Sequence, residues 1–196
     1  RGRLMHEAAT AVPSGMISVI GLHEARVRDL AEAAAEGSIL TCANYNCPGQ
    51  IVLSGEIEAC RRVKLLAGDF GARAAIPLRV AGAFHSRIMA PAAKELAGFL
   101  QTVEFRDPKV PVVSNVDSRP YTSAAEIPER LLTQLTTAVH WQQSMEFLLA
   151  DGVESFYEIG PGKVLAKLIW RTRQETNVNS VDCLEALEEV LMQAQT

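Results

Sequence analysis

The sequence predicts an α/β protein: a core of parallel strands and helices, with a smaller subdomain set into it. Three observations carry this. Stretches with apolar residues at i, i+3, i+4 and i+7 alternate with short apolar runs, the order of a parallel α/β core. Between Met16 and Leu78 the order becomes strand, helix, strand, strand, helix, strand, the split βαβ arrangement. Of 196 residues, 48% are apolar and 21% charged, enough for a sizeable core.

Residues 1–11 read as a helix with Leu4, Met5, Ala8 and Ala9 on one face. It starts at full stride with no N-cap, so the chain is expected to begin in the middle of an element. Pro13-Ser14-Gly15 breaks the pattern. Residues 16–22 form a strand. The spacing of Val27, Leu30, Ala31 and Ala34 predicts a helix over 24–36, stopped by Gly37. Strands over 39–44 and 50–54 are joined by a turn-rich loop holding Asn46, Pro48 and Gly49. A helix over 56–67 buries Ala59, Val63 and Leu66, and a strand over 73–78 closes the set. Residues 13–78 are thus expected to form a ferredoxin-like subdomain, and 1–12 with 79–196 the core. An RNA-recognition module shares this order, but its strands expose stacking aromatics, and residues 50–54 have none.

A strand-like run over 74–80 feeds the bend Gly82-Ala83-Phe84-His85-Ser86. A helix follows to residue 100, with Pro91 near its first turn and Met89, Ala92, Ala93, Leu96, Phe99 and Leu100 on its buried side. After a linker, 110–115 reads as a buried strand, with Pro111 at an edge or end. Helices over 124–136 and 141–150 come next, then a strand over 155–159 and the turn Gly160-Pro161-Gly162. A helix over 163–173 turns Val164, Leu165, Leu168 and Ile169 inward, and a last helix starts near Leu184.

A net charge of −4 argues against nucleic-acid binding, which usually brings a basic excess. No apolar run is long enough to span a bilayer, and no secretory leader pattern opens the chain, so a cytoplasmic location is expected. Cys42, Cys47, Cys60 and Cys183 show no zinc-type spacing and read as reduced thiols, with no metal expected. Cys47 in Asn46-Cys47-Pro48-Gly49 stays open as a nucleophile, although nothing nearby in sequence would activate it.

Several residues could carry chemistry. His85 lies at a strand-to-helix junction, held by rigid elements yet reachable, and imidazole titrates near neutrality. Arg1 offers a planar fork for a carboxylate. Asn44 and Asn46 present amides around a turn, and Gln134 could orient a nearby imidazole. Gly160-Pro161-Gly162 before a helix could hold an anion on backbone N–H groups. Ser86 is a nucleophile candidate, but neighbours in an extended segment point apart, which separates it from His85.

In order, the motifs are Arg-Gly-x-x-Met at 1–5, Asn-x-Asn-x-Pro-Gly-Gln at 44–50, Gly-Ala-Phe-His-Ser at 82–86, Val-Pro-Val-Val-Ser-Asn-Val at 110–116, Gln134-Leu135 and Gly-Pro-Gly-Lys-Val-Leu at 160–165. This series resembles the malonyl-CoA:acyl carrier protein transacylase family, including polyketide synthase acyltransferase domains, over essentially the whole chain. The resemblance implies an α/β-hydrolase-like core with an inserted ferredoxin-like subdomain. It implies transfer of a malonyl group from coenzyme A, through a serine ester, to the pantetheine thiol of an acyl carrier protein. Coenzyme A enters as a thioester substrate, and no cofactor is implied. His85 would be the general base, Gln134 its orienting residue and Arg1 the partner of the malonyl carboxylate. Asn44 and Asn46 would line the cleft. Phe84 would be a wall that excludes an α-methyl branch, favouring malonyl over methylmalonyl. Carrier proteins are acidic, so the clusters at Arg61-Arg62-Val63-Lys64 and 163–173 are docking candidates.

Two features of the family are absent. The 196 residues hold no Gly-x-Ser-x-Gly elbow and no Gly-Gln-Gly oxyanion loop. In the family both lie upstream of the position matching Arg1, so the chain is expected to be a C-terminal part, with the nucleophile on a missing N-terminal segment. The alternative is a non-catalytic module that binds a carrier protein or an acyl-CoA.

Overall fold

The computed structural model describes residues 1–193, which form two compact units divided between Ser144 and Met145. The protein is α/β. The first unit opens with α1 (Gly2–Ala11), whose buried residues are Leu4, Met5, Ala8 and Ala9, as the spacing predicts. A four-stranded antiparallel sheet follows. Its strands β1 (Ser14–Ile20), β2 (Leu40–Cys47), β3 (Gln50–Glu56) and β4 (Ala74–Pro77) lie in the order β2-β3-β1-β4. Helix α2 (Glu24–Ala35) connects β1 to β2, and α3 (Ile57–Leu66) connects β3 to β4.

One sheet face and these two helices enclose the main core. Ile17, Val19 and Leu53 meet Val27, Leu30 and Val63, all without solvent exposure. Each large apolar side chain so buried contributes about 1.5–3 kcal/mol. The ends of α2 are satisfied by particular groups. The His23 imidazole accepts from the Arg26 N–H at 3.5 Å. At the other end Glu36 takes a left-handed conformation, φ 45°, and the Arg62 guanidinium donates to the carbonyls of Ala34 and Ala35 at 2.6 and 2.7 Å.

The loop expected after Asn44 is strand instead. β2 runs on to Cys47 because register shifts between Cys42 and Asn44, and between Tyr45 and Cys47, absorb two extra residues as bulges. Only Pro48-Gly49 is left as the turn, and Gly49 supplies its positive φ of 74°.

Beyond the sheet, a 3₁₀ turn at Arg87–Met89 leads into α4 (Ala90–Leu100), and α5 (Ile127–Thr136) packs on it. With α1 they enclose a second core of Leu4, Met5, Met89, Ala92, Leu96 and Leu135. Phe99, expected inside, is 55% exposed. Residues 110–115 are not the expected buried strand. Val110 and Val112 are exposed, and the backbone turns back on itself through Ser114 N–H to Arg119 C=O and Tyr121 N–H to Val112 C=O, at 2.9 and 3.0 Å. Pro111 has no N–H to give a ladder, which favours this local pairing.

Helix α6 (Trp141–Ala150) carries the chain across the division. In the second unit β5 (Ser155–Ile159), α7 (Val164–Thr172) and β6 (Asn177–Val181) form a parallel β-α-β unit, followed by α8 (Leu184–Gln193). β6 was not expected, because its asparagines favour turns over strands. No helix among the described residues is long and apolar enough to cross a membrane.

Candidate active site

The stretch Gly82–Ser86 is fixed residue by residue. A Cβ on Gly82 would stand 2.7 Å from the Ala9 carbonyl oxygen, so only glycine allows this approach to α1. The Ala83 N–H donates to Ser14 Oγ at 3.1 Å, and the Phe84 carbonyl accepts from Ser54 Oγ at 2.6 Å. Ser86 Oγ donates to the Ala83 carbonyl and accepts from the Ile88 N–H, which caps the following 3₁₀ turn. Ser86 has no solvent exposure, so it is a cap and not a nucleophile.

Between these anchors His85 adopts a φ of 58°, in the left-handed region that few non-glycine residues occupy. Its Nδ1 lies 2.8 Å from the Gln134 backbone carbonyl. A carbonyl only accepts, so Nδ1 carries the proton and Nε2 keeps its lone pair. Burial pushes the imidazole pKa below its usual range; the nearby positive charge of Arg1 adds to this, and the bond to Gln134 opposes it. His85 is therefore neutral at pH 7, the form that accepts a proton.

Gln134 holds the imidazole with its main chain and not with the amide expected from the sequence. Its Nε2 instead donates to the carbonyls of Thr137 and Ala138, both at 3.3 Å. Residues 137–140 then run beside β2, with the Tyr45 N–H on the Val139 carbonyl and the Val139 N–H on the Ala43 carbonyl. This places the start of the segment near the base and its end on the bulged strand. His140 stacks on Tyr45 with ring centroids 5.1 Å apart, a contact that no sequence spacing announced.

Arg1 and Gln134 line a cleft of about 440 Å³ together with Ser114 and Asn115. Phe84 packs against the second core and also against Met16, Ala43 and Val52 on the sheet face turned away from α2 and α3. Asn44 pairs with Val52 across the ladder, in the same neighbourhood. Arg1, Gln134, Phe84 and His85 are thus brought together. Among the described residues no hydrogen bond ties Asn44 or Asn46 to His85, Arg1 or Gln134.

The other candidates are already occupied. Cys47 is 1% exposed, which leaves no approach for a substrate. The N–H groups of Leu165 and Ala166, beyond the Gly160–Gly162 turn, are taken by the Glu158 carboxylate at 2.8 Å each, so the helix start that could hold an anion is filled from within the chain. Arg62 is committed to the end of α2, whereas Arg61 is exposed and pairs with Glu58. Among the described residues no three His, Cys, Asp or Glu side chains are grouped to hold a metal ion.

No family model matches the chain. It is 39% identical over 189 residues to the malonyl CoA-acyl carrier protein transacylase of Bacillus subtilis, covering 96% of this chain and 60% of that protein. The malonyl CoA-acyl carrier protein transacylase structure from Coxiella burnetii superposes with a TM-score of 0.93 at 32% identity, over 98% of this chain and 61% of that one. A malonyl-transacylase solved in complex with its type II PKS acyl-carrier protein gives a TM-score of 0.93 at 36% identity, over 98% and 62%. The chain therefore spans about three fifths of the length of these relatives. Across nearly its whole length, in sequence and in fold, it is similar to the malonyl CoA-acyl carrier protein transacylases.

Proposed function

We propose that the chain supplies the base-bearing part of a malonyl-CoA:acyl carrier protein S-acyltransferase, with the nucleophilic serine on a segment outside these 196 residues. The observation that carries this is the neutral His85 imidazole, its Nδ1–H on the Gln134 carbonyl at 2.8 Å and its Nε2 free to accept. In the first half-reaction Nε2 takes the serine proton while the oxygen attacks the malonyl thioester carbonyl. Collapse expels the coenzyme A thiolate, which takes the proton from the imidazolium. In the second half-reaction the pantetheine thiol of the carrier protein gives its proton to Nε2 and attacks the ester, and the serine oxygen leaves with that proton.

Arg1 pairs with the malonyl carboxylate, Phe84 walls the acyl pocket, and Asn44 and Asn46 line the cleft. In this reading residues 13–78 are the ferredoxin-like subdomain, and 1–12 with 79–196 belong to an α/β-hydrolase-like core. Strand order β2-β3-β1-β4 with two helices on one face supports the first assignment. The partners are malonyl-CoA and an acyl carrier protein, in the cytoplasm, with no nucleic acid or membrane and no cofactor.

The test is loading with labelled malonyl-CoA, followed by intact mass. The chain alone should take up no label. Together with a polypeptide carrying the Gly-x-Ser-x-Gly elbow it should permit loading that His85→Ala abolishes. Label on the chain alone, or loading indifferent to His85→Ala, would end this reading; the second result would point to a module that only binds carrier protein or acyl-CoA.

A further inference from the structure

The second unit carries a groove of about 380 Å³, bordered by Lys163, Lys167 and Trp170 on the α7 side and by Thr176, Val178 and Ser180 on the β6 side. That volume falls in the small-molecule range, about 300–1,000 Å³. Lys163, Lys167 and Trp170 stand at i, i+4 and i+7, so they share one face of the helix. Val178 and Ser180 are two residues apart and share one face of the strand.

Three features suggest what would occupy it. Trp170 is 53% exposed, an indole face left open at the groove. Residues 163–173 hold four cationic side chains and no carboxylate. Glu158, paired across the sheet with Ser180, does not compete, because two backbone N–H groups already hold its carboxylate. Thr176 and Ser180 add hydroxyl-bearing side chains to the groove wall.

We infer that this groove binds a purine nucleoside phosphate. The base lies flat on the Trp170 indole, the phosphate sits between the ammonium groups of Lys163 and Lys167, and the Ser180 hydroxyl meets the polar edge between them. A concave site with an exposed indole and two lysines on one helix face fits a small aromatic anion better than the flat acidic surface of a protein. Free nucleotides and the nucleotide end of a coenzyme A thioester share this chemistry. The inference uses none of the residues assigned to acyl transfer and stands without that reading.

Tryptophan emission of the whole chain should be quenched saturably by ADP, by coenzyme A, or by both. Equal affinity would identify a nucleotide site, and tighter coenzyme A binding a coenzyme A site. Lys163→Gln with Lys167→Gln should weaken binding about tenfold. Trp170→Leu should remove the quenching while Trp141 still emits, and calorimetry on that variant should show weakened binding. All three side chains are exposed, so native circular dichroism is expected of both variants. The inference is overturned by no saturable quenching with either compound, by unchanged affinity in the double lysine variant, or by a response to polyglutamate alone.

Discussion

Ser54 donates its hydroxyl to the Phe84 carbonyl at 2.6 Å from a position with no solvent exposure. The bond ties the residue next to the base to the sheet. Ser54→Ala leaves that carbonyl short of a donor, which costs about 1–3 kcal/mol. A urea midpoint lowered to that extent, with an unchanged m-value, is the expected result.

The pKa of His85 lies below its ordinary value of 6.5. Below pH 6.5 the unfolded chain therefore binds more protons at this site than the folded one. Stability is complete above that pH and falls as pH descends toward the folded pKa. An NMR titration of the imidazole should give a midpoint under 6.5, moved upward by Arg1→Gln because a repelling charge is gone. His85→Gln should flatten the acid side of the stability curve.

A left-handed backbone at His85 also sorts substitutions by shape. Asparagine tolerates this region, and a β-branched residue does not. His85→Val should be less stable than His85→Asn by about 1–2 kcal/mol. Equal urea midpoints for the two would show that the backbone relaxes freely there.

Arg61 and Arg62 are neighbours in sequence with different duties. Arg62→Ala strips three hydrogen bonds from the region where α2 ends and should cost about 1.5–3 kcal/mol. Arg61 is exposed, and Arg61→Ala should stay within about 0.5 kcal/mol. Thermal melts of the single variants separate the two. Of the two, only Arg61 can be substituted without disturbing the fold.

Phe84→Ser, assayed together with a polypeptide carrying the serine elbow, should raise methylmalonyl transfer relative to malonyl. A methyl group is worth about 1–3 kcal/mol in such a pocket, roughly ten- to two-hundredfold. An unchanged ratio would remove Phe84 from the selectivity argument.

Helix faces and element order were readable in the chain because burial imposes a period. Leu4, Met5, Ala8 and Ala9 turn inward as spaced, and the β-α-β-β-α-β order around 16–78 is the one observed. What the residues did not announce was backbone geometry. The two bulges of β2, the left-handed φ of His85 and the main-chain role of Gln134 leave no mark on residue type. Residues 110–115 misled for another reason: apolar β-branched residues favour strand, but they do not say where a partner strand lies. Phe99 followed its helical stripe and still lies exposed, because a stripe marks a face without naming what covers it.

The loop that bears His85 is held by partners far away along the chain: Ser14 at 69 residues from Ala83, Ser54 at 30 from Phe84, and Gln134 at 49 from His85. No local fragment can make these contacts, because each closes a long loop whose entropy must be offset by the tertiary fold. The base is therefore aimed only by the folded chain. A nascent or partly collapsed chain carries an ordinary, mobile, unaimed imidazole, so reactivity is withheld until the polypeptide has passed its own structural inspection.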